Sequence, residues 1–183
     1  SFKDTRIKFF KSNKFLNLYD AKNLAIKKCS GEYISFLDTD DIMIPNKLEK
    51  QLFFIKKNLN FKIIYTNYHV LKKDNKYIRY NNELPSGKIT QKLLDFYCLG
   101  INTVFLSKKV FDHYNFENNL NIIGDFDFFV KASQKFEIGY IADPLTIYRV
   151  HDNSYMSKNL KMYILELSNW IKKNEIDFKK KNY

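Results

Sequence analysis

The run Tyr33-Ile34-Ser35-Phe36-Leu37-Asp38-Thr39-Asp40-Asp41 constrains this chain more than any other stretch. An apolar segment of strand length passes directly into three carboxylates within four residues. Such a segment reads as a strand buried on both faces, as in a parallel sheet covered by helices. In those sheets ligands bind just beyond the carboxyl ends of the strands. Three aspartates gathered there repel one another unless a cation lies between them. Mg²⁺ or Mn²⁺ suits the place, because hard divalent ions take oxygen ligands and share them with substrate phosphates. A plainer reading is a turn leading into a helix that has Pro45 in its first turn. The two are compatible, since a metal-binding loop is also a turn.

The length of 183 residues suits one domain with a sizeable core. A hydrophobic fraction of 45% and an aromatic fraction of 17% argue against disorder. The net charge of +11 favours polyanionic partners: nucleic acid, anionic membrane or phosphorylated substrates. Only three of the 31 basic residues are arginines, however, and bidentate Arg is the usual reader of bases. A nucleic-acid partner is therefore not expected. Cys29 and Cys98 make no disulfide framework and show no metal-type spacing, which fits a reducing cytoplasm. No apolar run reaches membrane-spanning length, and the first residues do not read as a signal peptide.

Along the chain, Arg6–Phe10 reads as a strand. Leu18, Ala21, Ala25 and Ile26 recur at helical spacing, with Gly31 placed to end that helix. Lys22 on it is either a solvated lysine or a site residue. A helix is expected from Pro45 to Lys57, and strands over Phe61–Tyr68 and Tyr77–Tyr80. Tyr65 and Tyr68 can stack on a sugar or serve as sheet aromatics. Thr90 is placed to cap a helix, Asn102–Leu106 reads as a strand, and Ser107–His113 as a short helix. In Gly124-Asp125-Phe126-Asp127, Asp125 is placed to cap a helix running to Phe136. Acids two apart do not share a helix face, so at most one of the pair points into a site. Glu137–Ala142 and Thr146–Val150 read as strands flanking Asp143-Pro144. Arg149 and His151, also two apart, face the same way on an extended strand. Residues 157–183 form an amphipathic helix with a basic tail, whose apolar stripe suits core packing or contact with anionic lipid. The expected division is thus 1–156 for the main domain and 157–183 for the helix and tail.

Four segments together resemble family 2 glycosyltransferases of the GT-A fold. They are Asn23-Leu24-Ala25-Ile26, Ser30-Gly31-Glu32-Tyr33-Ile34, Phe36-Leu37-Asp38-Thr39-Asp40-Asp41 and Pro45-Asn46-Lys47-Leu48-Glu49-Lys50-Gln51. The resemblance implies a GT-A-like (Rossmann-like) α/β fold, a mixed sheet flanked by helices. Family members normally begin with a strand-helix-strand unit that this sequence lacks. An N-terminally truncated domain, weak or inactive alone, is the resulting expectation.

The resemblance also assigns roles. Asp40 would bind Mn²⁺ or Mg²⁺, with His151 completing the metal shell. Asp38 would hold the ribose or support the metal loop, and Asp41 would stand behind it. Lys22, where Arg is common in the family, and Arg149 would face the diphosphate. Asp125 would be the base that deprotonates the acceptor hydroxyl, although Gly124 replaces the usual Glu before it. Asp127 is assigned to structure or acceptor binding. The implied reaction is inverting transfer from a nucleotide sugar, foremost a UDP-sugar, to a glycan or lipid-linked acceptor. The implied setting is bacterial surface polysaccharide synthesis in the cytoplasm, at the inner face of the membrane. Two rival classes are a non-catalytic scaffold of the same fold and a basic nucleic-acid binder.

Overall fold

The computed structural model describes residues 4–151 and 158–183. The expected domain boundary at 156/157, and Ser154 after the Tyr-Arg-Val-His segment, lie outside the described residues. Helix α1 (Leu18–Lys28) leads to strand β1 (Tyr33–Ser35), a short β2 (Ile42–Met43) and helix α2 (Lys47–Lys57). Strand β3 (Ile63–Lys72) turns into β4 (Asn75–Ile78) through Lys73, which adopts a left-handed φ of 52°. Helix α3 (Thr90–Asp95), β5 (Phe105–Ser107) and α4 (Gly124–Ser133) follow, with 3₁₀ turns at Ile101–Thr103 and Lys108–Asp112. Strand β6 (Ile138–Val150) and helix α5 (Leu160–Lys180) complete the described elements.

The sheet runs β1-β5-β3-β6-β2, with β4 paired to the far end of β3. Its axis is the long β3–β6 pair, the one parallel pairing among the described strands. Ile63, Ile64 and Tyr65 at the start of β3 are fully buried, because β5 and β6 flank them and helices cover both faces. Tyr65 is therefore a sheet aromatic and not a sugar platform.

Three expectations are corrected. Strand β1 is an edge strand paired antiparallel with β5, not a strand buried on both faces of a parallel sheet. Only Ile34 of β1 is buried, since a single neighbour shields one side of the ribbon. Arg6–Phe10 forms no strand; Ile7, Phe9 and Phe10 are exposed and no described strand pairs with them. Asp143-Pro144 does not divide two strands. β6 runs through it, and a register shift opposite Asn67 accommodates the proline, which cannot donate to a ladder. Helix α2 starts later than expected, at Lys47 after Pro45-Asn46, whereas α3 starts one residue earlier, at Thr90 with Ile89 as its cap.

Helix α4 is buried almost all round, with Phe128, Phe129, Val130 and Ala132 at 1% exposure or less. Phe128 stacks against Phe111 and lies 4.6 Å from the Phe116 ring, fixing α4 in the aromatic core. The N-terminus of α4 is thereby held at the edge of the cleft described next.

Candidate active site

The acidic loop is tied down by the end of β6. Strand β2 pairs antiparallel with β6 through Ile42–Ile147 and Met43–Thr146, which brings Asp38–Asp41 alongside Tyr148–His151. Asp41 is buried and accepts hydrogen bonds from the Arg149 backbone N–H (3.0 Å) and from Asn102 Nδ2. Burial pushes its carboxyl above the usual range. The Arg149 Nε donates to the Asp40 carbonyl. Asp40 Oδ2 meets His151 Nε2 at 2.8 Å, and that hydrogen bond holds the Asp40 carboxyl below the ordinary range. Lys22, on α1, forms an ion pair with Asp38 at 3.1 Å and lies 5.5 Å from the Phe36 ring. The structure therefore gathers Lys22, Asp38, Asp40, Asp41, Arg149 and His151 around one loop.

Asp40 and His151 are the convergent pair a divalent cation would use. Among the described residues no group of three or more His, Cys, Asp or Glu side chains forms a metal cluster. Two protein ligands still fit Mg²⁺ or Mn²⁺, which commonly take one or two side chains and complete their shell with phosphate oxygens and water.

Asp38, Asp41 and Asp125 line the same cleft of about 380 Å³, together with Tyr68, Arg79 and Tyr148. Asp125 stands in the first turn of α4, where the cap is Ile123; the expected capping role is not found. Its backbone N–H reaches the Tyr19 hydroxyl at 3.3 Å, and that hydroxyl donates to the Ile122 carbonyl at 2.7 Å. Burial raises the Asp125 carboxyl to about 6, against the opposing pull of helix N–H groups and the Lys22 charge. A carboxylate poised near 6 is suited to accept a proton at neutral pH. Gly124 has a local reason: a Cβ there would lie 2.5 Å from the Tyr19 ring. The ring that fills this space is the one whose hydroxyl braces Asp125.

Asp127 faces away from the cleft. It is 1% exposed, accepts from Trp170 Nε1 at 2.6 Å and pairs with Lys131 at 2.8 Å. Its geometry is that of a structural acid docking α5, and the substrate-binding assignment is not supported. Adjacent acids on a helix diverge, and the core-facing direction took this one.

Four contributors were not singled out by the sequence reading. Arg79 adds a cation to the cleft wall from the loop after β4. Tyr97 lies beside Asp125; its hydroxyl is buried, faces that carboxyl and makes no hydrogen bond of normal length among the described residues. Glu166 of α5 accepts from the backbone N–H groups of Asn121, Ile122 and Ile123 at 2.7, 3.0 and 3.2 Å, fixing the approach to Asp125. Lys47, at the start of α2, is fully buried and bonded to Ser35 Oγ of β1 at 2.8 Å, and burial lowers its ammonium to about 8. Its place in the Pro-Asn-Lys-Leu-Glu segment was visible, but its burial was not.

Comparison with known proteins identifies the family and fold. The model of the glycosyl transferase family 2 matches residues 1–118. A glycosyltransferase of Rickettsia bellii is 32% identical over 169 residues, covering 91% of this chain and 24% of the relative. The Escherichia coli UDP-Glc:alpha-D-GlcNAc-diphosphoundecaprenol beta-1,3-glucosyltransferase WfgD is 36% identical over 115 residues, covering 63% of this chain and 44% of the relative. The chain thus spans less than half the length of either. S. aureus TarS 1-349, solved in complex with UDP-GlcNAc, superposes with a TM-score of 0.58 at 15% identity. That match covers 77% of this chain and 41% of the TarS 1-349 chain, and shows the shared GT-A fold. With its family-model match and the shared fold, the chain belongs to glycosyl transferase family 2.

Proposed function

We propose that this chain carries the donor site and catalytic base of an inverting glycosyltransferase that uses a nucleotide sugar. The observation that carries the reading is that Asp38 and Asp41 share one cleft with Asp125, while Asp40, Arg149 and His151 close its loop. Cations Lys22 and Arg149 stand where a diphosphate would lie against the acidic loop. Asp40 and His151 would hold Mn²⁺ or Mg²⁺, which supplies Lewis-acid stabilisation of the leaving nucleoside diphosphate. Asp125, raised to about 6, takes the proton from the acceptor hydroxyl as that oxygen attacks the anomeric carbon. A single displacement of this kind inverts the anomeric configuration and needs no covalent enzyme intermediate.

A UDP-sugar is the donor favoured by WfgD, whose name specifies UDP-Glc, and by TarS, solved with UDP-GlcNAc. A glycan or lipid-linked acceptor and a role in bacterial surface polysaccharide synthesis belong to the same proposal. Helix α5 supports peripheral contact with an anionic membrane. No described helix is long and apolar enough to cross one, but Leu160, Ile164, Leu165 and Ile176 are 57–67% exposed among lysines.

Thermal unfolding with UDP-glucose and Mn²⁺, together and separately, tests the donor reading. Ligand at about 100 times its Kd adds about 2.7 kcal/mol to the folded state, so a rise in Tm of several degrees is expected only with both present. No rise with any UDP- or other nucleotide sugar would favour the non-catalytic scaffold.

A further inference from the structure

On the far side of Asp125 from the acidic loop lies a second cavity, of about 520 Å³. It is bounded by α3, by the start of α4 and by α5, through Leu94, Phe126, Tyr163, Leu167, Trp170 and Ile171. Its size is that of a small-molecule site. Its chemistry differs sharply from that of the cleft beside it. Among its lining residues Asp125 is the one charged group, and no Lys, Arg or His takes part. A phosphate or a fully polar sugar would find no cation and few partners there; a neutral hydrocarbon group would lose nothing on entering.

Two residues belong to both chambers. Asp125 and Tyr97 line the cleft of the acidic loop and the apolar cavity alike. The Tyr97 hydroxyl is buried facing the Asp125 carboxyl and makes no hydrogen bond of normal length among the described residues, so a head group placed there could bond to both. The apolar surface also continues outward. On α5, Tyr163, Leu167 and Ile171 recur at helical spacing, and Ile171 is 48% exposed at the rim. Leu160 and Ile164 extend the stripe on the same helix, at 57% and 58% exposure. A chain too long for the cavity could follow that stripe.

We infer that this cavity holds the hydrocarbon portion of an amphiphilic acceptor, whose hydroxyl-bearing head meets Asp125 and Tyr97 at the junction of the two chambers. This rests on the transferase reading for the role of Asp125, but the hydrocarbon site itself is testable without turnover.

Trp170 is the chain's only tryptophan and lines the cavity, so its fluorescence reports occupancy directly. The chain is titrated with methyl, hexyl, heptyl and octyl β-glucosides, each below its micelle concentration. A saturable change is expected for the alkyl series, with affinity rising about threefold to fourfold per added methylene. Methyl glucoside should give no saturable change. Ile171→Asp, at an exposed rim position, should weaken octyl glucoside at least tenfold. Ile176→Asp, 67% exposed on the same helix and outside the cavity lining, should leave it within twofold. Affinity independent of chain length, or an equal loss in both variants, would show general adsorption to α5 and overturn the inference. Stabilisation by UDP-glucose with Mn²⁺, measured on the same samples, reads the donor site independently. Chain-length-dependent binding without donor stabilisation would keep the hydrocarbon site and remove the transferase role.

Discussion

As the proposed base, Asp125 sits in an environment that makes opposite demands on stability and on activity. Its carboxyl is raised to about 6 from an ordinary value near 3.8, so the folded state binds the extra proton between roughly pH 4 and 6. Stability from this group is therefore lost as pH rises through that window. Asp125→Asn should raise stability at pH 7 by about 3 kcal/mol in urea titrations while abolishing transfer. Activity of the wild-type site, which needs the ionised base, should climb with pH and level off above about 6. Lys47 offers the converse case. Its ammonium is lowered to about 8, so between pH 8 and 10.5 the unfolded chain holds a proton that the folded chain does not. Stability should rise over that range by about 3 kcal/mol more in the wild type than in Lys47→Met. An identical pH dependence in the two proteins would mean that Lys47 is solvated.

At this scale the sequence was most informative where residues were contiguous. Asp38, Asp40 and Asp41 announced themselves as a loop, and the Arg149/His151 pair as one strand face. Asp125 was legible as a candidate base from the family resemblance, but its brace was not. Tyr19 is more than a hundred residues away, and no local pattern says that its ring occupies the space a side chain at 124 would need. Asp127 misled because spacing tells which acids diverge, not which of them points inward.

At the scale of elements, the site depends on two joints. One is the short β2–β6 pairing that pins the acidic loop to Arg149 and His151. The other is the contact of α5 with α4, made by Trp170 on Asp127 and by Glu166 across the backbone of Asn121–Ile123. A carboxylate accepting several N–H groups contributes more than a neutral pair would. Glu166→Ala should cost about 2 kcal/mol in stability and lower transfer, with Trp170 fluorescence reporting a loosened helix. Unchanged stability would show that Glu166 is replaced there by water without consequence. The helices were readable from periodicity, and β3 and β6 from their β-branched and aromatic content. The edge placement of β1 was not, because an apolar run looks the same whether one neighbour covers it or two. A register shift, which lets β6 absorb Pro144, likewise leaves no trace in local composition.

For the whole molecule, the charge of +11 favours anionic partners but does not distinguish among them. The proposed function would direct that charge toward a nucleoside diphosphate and an anionic lipid surface. Sedimentation with vesicles rich in anionic lipid should recover the chain at low ionic strength and lose most of it near 0.5 M salt, as screened charge predicts. Equal recovery on neutral vesicles would assign the exposed face of α5 to another partner. The fold organises these surfaces around a single cleft, with the acidic loop on one side of Asp125 and an apolar cavity on the other.

The central claim is that the Asp38–Asp41 loop, closed by Arg149 and His151, receives a metal-bound nucleoside diphosphate. Calorimetric titration with UDP, with and without Mn²⁺, on the wild type and Asp40→Ala tests it most directly. Binding heat that requires Mn²⁺ and vanishes in Asp40→Ala is the result this account predicts. Binding of UDP with Mn²⁺ that survives unchanged in Asp40→Ala would place the metal elsewhere and contradict it.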